Sequence, residues 1–429
     1  MKRTAAALLL IAALGCQVAP EGTVAFVNVS VLPMDSERVL EGQTVVTSLG
    51  AIAEMGPSSA VSAPRGAEVV DGGGRYLMPG LTEMHAHLPG ADAPPEEVDR
   101  ILFLFLSNGV TTVRGMLGDA THIPLRGEIE SGARLGPTIY AAGPAFRGSS
   151  ELTAEDARER VRAQRAAGFD LLKILEGLDV EVYDAIADEA KRAGIPFGGH
   201  VPNAVGLLDA LAAGQGSIDH LDNYLEALDE SEENIPALAA ATELADATAV
   251  PTMALWETFN ADVPVEAYAD VDGLEYMPKE VVDRWAESQQ ERRERLDPES
   301  GARVIEMRKR MLKALQDEGA RIVFGTDAPQ IFNVPGFAIH REMRIMAEAG
   351  MTPFEILATG TLNAAEHFGN DDFGEVEVGR RADLILLEGN PLTDLSNMAR
   401  RAGVMVRGTW LPEAEIQARL ADLAASSGQ

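Results

Sequence analysis

Between residues 77 and 371 short apolar runs alternate with amphipathic segments, and eight of those runs read as strands. They end near His87, Arg114, Ala142, Lys173, His200, His220, Leu255 and Asp327. An apolar strand followed by an amphipathic segment, such as residues 180–193 or 303–318, is the βα unit of a parallel sheet. Eight is the number that closes such a sheet, so an α/β fold of the (β/α)8 TIM-barrel type is expected rather than an open sheet. Catalytic groups in these barrels lie at the C-terminal ends of the strands. Strands one, four, five, six and eight end on or beside a His, Lys or Asp.

The first of these ends is His85-Ala86-His87. Histidines two apart on a strand point to the same face, so both imidazoles can reach one cation. Imidazole and carboxylate are the ligands of catalytic zinc, which keeps a further position open for water. A single histidine at a strand end is more often a satisfied core residue. Here four of the seven histidines, His85, His87, His200 and His220, share one context with Lys173 and Asp327, and clustered titratable groups of this kind mark a site.

At 429 residues the chain has room for a barrel and an appendage, and its 46% apolar content indicates a folded globular protein. The formal charge of −31 repels nucleic acid and anionic headgroups, so a small-molecule substrate is expected and nucleic acid is not. Residues 1–15 read as a signal peptide: Lys2 and Arg3 precede an apolar stretch too short to span a bilayer. The stretch ends in Ala13-Leu14-Gly15-Cys16, and Cys16 is the only cysteine. This resembles a bacterial lipoprotein signal, in which the cysteine becomes the acylated first residue, while Ala13 leaves ordinary signal cleavage open. Export is therefore expected, either to the periplasmic face of a membrane through a lipid anchor at Cys16 or to the soluble periplasm. One cysteine permits no internal disulfide.

Both ends of the mature chain have short strand-like patterns with turn clusters such as Asp71-Gly72-Gly73-Gly74. A small β-sandwich domain assembled from residues 16–76 and 372–411 is expected around a barrel at 77–371, with a C-terminal helix in 412–429. Residues 226–300 fit the alternation poorly. They read either as solvated surface helices or as a lid over the barrel mouth.

The motifs together resemble the amidohydrolase superfamily, near its imidazolonepropionase-like and metal-dependent Xaa-Pro or Xaa-Arg dipeptidase branch. The resemblance rests on Pro79-Gly80-Leu81 before the His-x-His, Gly109-Val110-Thr111-Thr112-Val113-Arg114, Gly199-His200-Val201 and Gly325-Thr326-Asp327-Ala328. It continues through Thr361-Leu362-Asn363-Ala364-Ala365 and Gly379-Arg380-Arg381-Ala382-Asp383-Leu384. It implies that His85, His87 and Asp327 hold one divalent ion and that His200 and His220 hold a second, with Zn2+ the metal expected at both. Lys173 would bridge them as N6-carboxylysine, since an ammonium cannot ligate a cation. Asp327 would take the proton of the attacking hydroxide and pass it to the leaving nitrogen. A homo-oligomer is expected. Two stretches depart from the branch: Phe146-Arg147-Gly148-Ser149-Ser150 where Gly-Gly-His is common, and Gly115-Met116 where Asp commonly follows the Arg.

The substrate contacts expected from sequence are Tyr224, which can reach a substrate carbonyl or serve the core, and Arg147, which can pair a carboxylate or sit on the surface. His122 reads as a solvated loop residue, His340 as structural or adjacent to the site, and His367 as a helix C-terminal cap. The function expected is metal-dependent hydrolysis of an amide bond in a dipeptide, N-acyl amino acid or cyclic amide. A lactonase or phosphotriesterase on the same site, and a non-catalytic binding lipoprotein, are the alternatives.

Overall fold

The computed structural model describes residues 19–148, 152–228 and 231–428; the signal segment and Cys16 lie outside them. The N-terminal part contributes β1 (Val24–Val31), β2 (Leu40–Ser48), β3 (Ala51–Pro57), β4 (Glu68–Asp71) and β5 (Tyr76–Pro79). The staves of the barrel follow as β6 (Leu81–Ala86), β7 (Val110–Gly115), β8 (Thr138–Ala141), β9 (Leu172–Ile174), β10 (Phe197–Gly199), β11 (Ser217–Asp219) and β12 (Thr248–Val250). The chain then returns to the small domain with β13 (Leu384–Leu387), β14 (Arg401–Val406) and β15 (Thr409–Pro412), and ends in the helix Glu413–Ser426.

The small domain is built from both chain ends as one forked sheet in the order β15-β14-β13-β5-β1-β2-β3, with β4 paired to the first half of β1. Alternation along β1 turns Val24 and Phe26 into a core shared with Ile52, Leu77, Leu384 and Met405. Phe26 meets Trp410 of β15 edge to face at 5.0 Å, which ties the two chain ends together.

In the barrel, β6-β7-β8 and β9-β10-β11-β12 are parallel. Three less regular seams close it. Gly143 and Phe146 donate to the carbonyls of Leu171 and Lys173 at 2.9 Å each, joining the third stave to β9. Residues 321–328 form the eighth stave: Ala249 N–H reaches Arg321 O at 2.9 Å, and Asp327 N–H reaches His85 O at 2.9 Å. The helices pack outside with ordinary caps. Val180–Ala193 starts where Asp179 accepts from Val182 N–H at 2.9 Å, ends at Gly194 with φ 64°, and buries Val182, Tyr183, Ile186 and Ala190.

Three expectations change. The barrel expected from residue 77 begins with β6 at Leu81, because Tyr76–Pro79 pairs within the small sheet and the chain passes to the barrel at Gly80. There a Cβ would lie 2.1 Å from Thr111 Oγ1, so only glycine permits the approach. The seventh stave ends at Val250 rather than near Leu255: Pro251 has no N–H to continue a ladder, and Met253–Asn260 is a helix. Part of the 226–300 stretch faces the cavity and part packs into the fold. Trp256 and Phe259 line the mouth, while the helix Lys279–Arg293 buries Trp285 and Gln289. Among the described residues no helix is long and apolar enough to cross a membrane.

Candidate metal centre

Successive residues on a strand face opposite ways, yet both Asp219 and His220 reach the barrel interior. The backbone explains this: Asp219 ends β11, and His220 leaves it with φ 63°, so its imidazole swings back over the mouth. Asp327 does the same at φ 63° after Thr326. On β10, Gly199 takes φ 121°, and a Cβ there would lie 2.8 Å from Lys173 Cδ. Glycine at that position is what lets the Lys173 side chain pass across the neighbouring stave.

These turns bring all six expected ligands to one place. His87 Nε2 lies 2.9 Å from Asp327 Oδ1, and His85 Nε2 lies 3.4 Å from the same oxygen. The ring of His220 is 4.5 Å from those of both His85 and His200, centroid to centroid. Lys173 Nζ is 3.3 Å from His85 Nε2. A cavity of about 300 Å3 opens onto these six side chains. Larger hollows, such as one of about 740 Å3 beside Arg407 and Trp410, contain none of the six.

The electrostatics suit cation binding. Burial, then the neighbouring Lys173, lowers His85 to about 4, and burial with His85 and His200 pushes His220 well down. Both shifts favour the neutral ring, whose free nitrogen can offer a lone pair. Burial also lowers Lys173. Burial alone would raise Asp327, but His87 and His85 outweigh it and hold the carboxyl well below its usual range. Its buried Oδ1 accepts no hydrogen bond, although two imidazole nitrogens face it. An orphaned carboxylate oxygen among lone-pair donors fits a divalent ion, and His85, His87 and Asp327 place one donor atom each within 4.8 Å of one another.

A second set of residues holds the first, and sequence reading missed it. Asp219 Oδ2 lies 2.8 Å from His85 Nδ1, and Arg114 grips the same carboxylate at 3.0 and 3.1 Å. Asp222 contacts His200 Nδ1 at 2.7 Å, and Thr252 Oγ1 contacts His220 Nδ1 at 2.9 Å. Gln330 donates to Asp327 Oδ2 at 2.8 Å. Glu83 links the first and eighth staves, accepting from His85 N–H and from the Thr326 amide and hydroxyl at 2.7–2.9 Å. Burial pushes its carboxyl up to about 7. Strand periodicity carried the signal for Glu83, two residues before His85. A charged Arg114 inside an otherwise apolar run carried another, since a buried charge requires a partner.

The structure does not bring the two expected substrate contacts to the cavity. Tyr224 is fully buried and its hydroxyl is engaged with Thr242 Oγ1 at 2.7 Å, within the core. Arg147 is exposed and is not among the described residues that line the cavity. His122 is not solvated: it begins the helix His122–Glu130 and is buried, with Nε2 3.1 Å from Pro89 O. His340 is structural, 3.3 Å from Asn108 Oδ1, and burial lowers it to about 4. His367 occupies the last turn of its helix, but its Nδ1 meets Thr248 Oγ1 at 2.9 Å rather than a helix carbonyl.

Comparison with known proteins agrees with this geometry. Adenine deaminase 2 of Desulfotalea psychrophila is 22% identical over 378 residues, 84% of this chain and 54% of that protein. The chain thus spans about half the length of that relative. Imidazolonepropionase of Pseudomonas entomophila is 26% identical over 377 residues, covering 83% of this chain and 90% of that one. The crystal structure of a putative prolidase from Bifidobacterium longum superimposes with a TM-score of 0.72 at 27% identity, covering 94% of this chain and 99% of that one. The sequence profile of the Amidohydrolase family matches residues 76–411, so the chain belongs to the amidohydrolase family.

Proposed function

We propose that this protein hydrolyses an amide bond in a small substrate at a centre of two divalent ions, with zinc the metal best matched to its imidazole and carboxylate donors. The observation that carries the reading is the convergence of five strand ends on one cavity of about 300 Å3. His85, His87 and Asp327 would hold one ion and His200 and His220 the other, with Lys173 between them as a carboxylated side chain. Ions bound there supply an activated water and polarise the scissile carbonyl. Asp327, whose Oδ2 accepts from Gln330, would take the proton of the attacking water and hand it to the leaving nitrogen. Thr252 and Asp222 keep His220 and His200 turned by their Nδ1 atoms, so that each Nε2 faces the cavity.

The test is metal analysis of the purified protein together with hydrolysis of dipeptides, N-acyl amino acids and cyclic amides, with a lactone and a phosphotriester as contrasts. Asp327→Asn should retain metal and lose about 10²–10⁴ of the amide turnover. A metal-loaded protein that cleaves only the ester-type contrasts would move the reading to a lactonase or phosphotriesterase. One that cleaves nothing would make it a binding protein.

A further inference from the structure

The six polar groups account for only part of the cavity wall. Its apolar part is Met116, Leu117, Leu175, Leu255, Trp256 and Phe259. Leu117 keeps 41% of its surface exposed, and among the exposed large apolar side chains of the described residues it is the one that lines this cavity. Apolar surface left in water at the rim of a reactive site is surface for a ligand to cover.

The two aromatic rings are held rigidly from behind. Trp256 donates its indole N–H to His220 O at 3.0 Å, and the Arg308 guanidinium lies 3.5 Å from the ring centroid. Phe259 stands edge-on to Trp256 at 6.0 Å and 78°, with Arg292 3.7 Å from its own centroid. Rings fixed in this way bind without paying for their own ordering. The charges also select. Lys173 is the one Lys or Arg among the described residues lining the cavity, and Glu176 and Asp222 add carboxylates to it. Among the described residues that line the cavity there is no arginine to pair a substrate carboxylate, and Glu176 and Asp222 face it, so outside the ions themselves nothing there favours an anionic group. At about 300 Å3 the cavity stands at the small end of the range of roughly 300–1,000 Å3 for ligand sites.

We propose that the cavity takes a small uncharged amide bearing one aromatic or large apolar group, which packs on Trp256 and Phe259. The proposal rests on the hydrolase reading above and names the substrate class for it.

The experiment compares kcat/KM of the metal-loaded protein for matched amides. N-phenylacetylglycinamide against N-acetylglycinamide places the ring on the acyl side. N-acetylphenylalaninamide against N-acetylalaninamide places it on the amine side, and free N-acetylphenylalanine adds the carboxylate. A ring in one of the two positions should raise kcat/KM by roughly tenfold or more, the effect of burying one aromatic group. The free acid should be cleaved more slowly than its amide. Phe259→Ala should narrow the ratio of ringed to ringless substrate. Trp256→Phe should largely keep that ratio, because it preserves a ring while losing the N–H to His220. Equal rates with and without the ring, or preference for the free acid, overturn the substrate class and leave the hydrolase reading standing. Calorimetric binding of the same amides to metal-loaded Asp327→Asn reads the preference without turnover. Ring-selective binding to a protein whose wild type cleaves no amide would retain the ligand class and overturn the hydrolase reading instead.

Discussion

His85 Nδ1 lies 2.8 Å from Asp219 Oδ2, on the side of the ring opposite Nε2, which faces Lys173 at 3.3 Å and Asp327 at 3.4 Å. Burial works against a charge on Asp219, but Arg114, His85 and Lys173 together hold its carboxyl well below the usual range. A carboxylate fixed there keeps the His85 proton on Nδ1 and leaves the Nε2 lone pair for a cation. The Arg114–Asp219 pair, built across β7 and β11, thus holds His85 in the orientation a metal ligand would need.

Asp219→Asn should therefore weaken metal retention by about 10–100-fold, the usual cost of removing a carboxylate behind a ligating histidine. Competition with a graded chelator measures it directly, without recourse to activity. Retention equal to the wild type would reduce Asp219 to a partner for Arg114 alone.

Much of this site was legible in the sequence because its ligands stand at strand ends, where period and position coincide. His85 and His87 declare themselves by their spacing of two. His220 and Asp327 are less direct, since their inward turn depends on φ values of 63° at each, which no apolar pattern reports. Asp219 was hidden for the same reason: beside His220 it reads as the opposite face of the strand. Tyr224 misled because four residues past a ligand is close in sequence, while the chain there turns into the core and satisfies its hydroxyl on Thr242. Trp256 and Phe259 were assigned to surface or lid because the seventh stave appeared to run to Leu255. Pro251 ends it early and sends the next helix across the mouth.

A pH effect on stability follows from Glu342, which is fully buried and accepts from Met253 and Ala254 N–H at 2.9 and 2.6 Å. Burial pushes its carboxyl up to about 8, against about 4.3 in an unfolded chain. The folded state thus binds a proton more tightly than the unfolded state. The stability this contributes is fully present below the unfolded value and is lost as pH rises through the folded one. Urea unfolding should show wild type losing stability relative to Glu342→Gln between about pH 5 and pH 8. A level difference across that window would mean that Glu342 stays charged in the fold.

The reading of Cys16 as a lipid-bearing first residue is tested by location. We propose that the wild type fractionates with membranes and that Cys16→Ser releases it, because acylation requires the thiol. A wild type wholly in the soluble periplasmic fraction, or a mature N-terminus elsewhere, would favour ordinary signal cleavage.

Lys173 offers the sharpest test of a dinuclear centre. Its side chain is 1% exposed, it passes beneath Gly199, and its Nζ lies 3.7 Å from Asp219 Oδ2 as well as 3.3 Å from His85 Nε2. Burial lowers its pKa, which favours the neutral amine that can attack CO2. The addition forms one N–C bond and releases one proton, and the product is a carbamate anion with an oxygen for each ion. Without it, two cations would face an ammonium at close range. Lys173→Ala should therefore drop metal content from two per chain toward one and cut hydrolysis, and millimolar acetate or propionate should restore part of both by standing in for the lost carboxylate. The metal count and the short-acid rescue are the decisive readings. A wild type holding a single ion, with Lys173→Ala equal to it in metal content and rate, would make the centre mononuclear and leave Lys173 as a buried partner of Asp219.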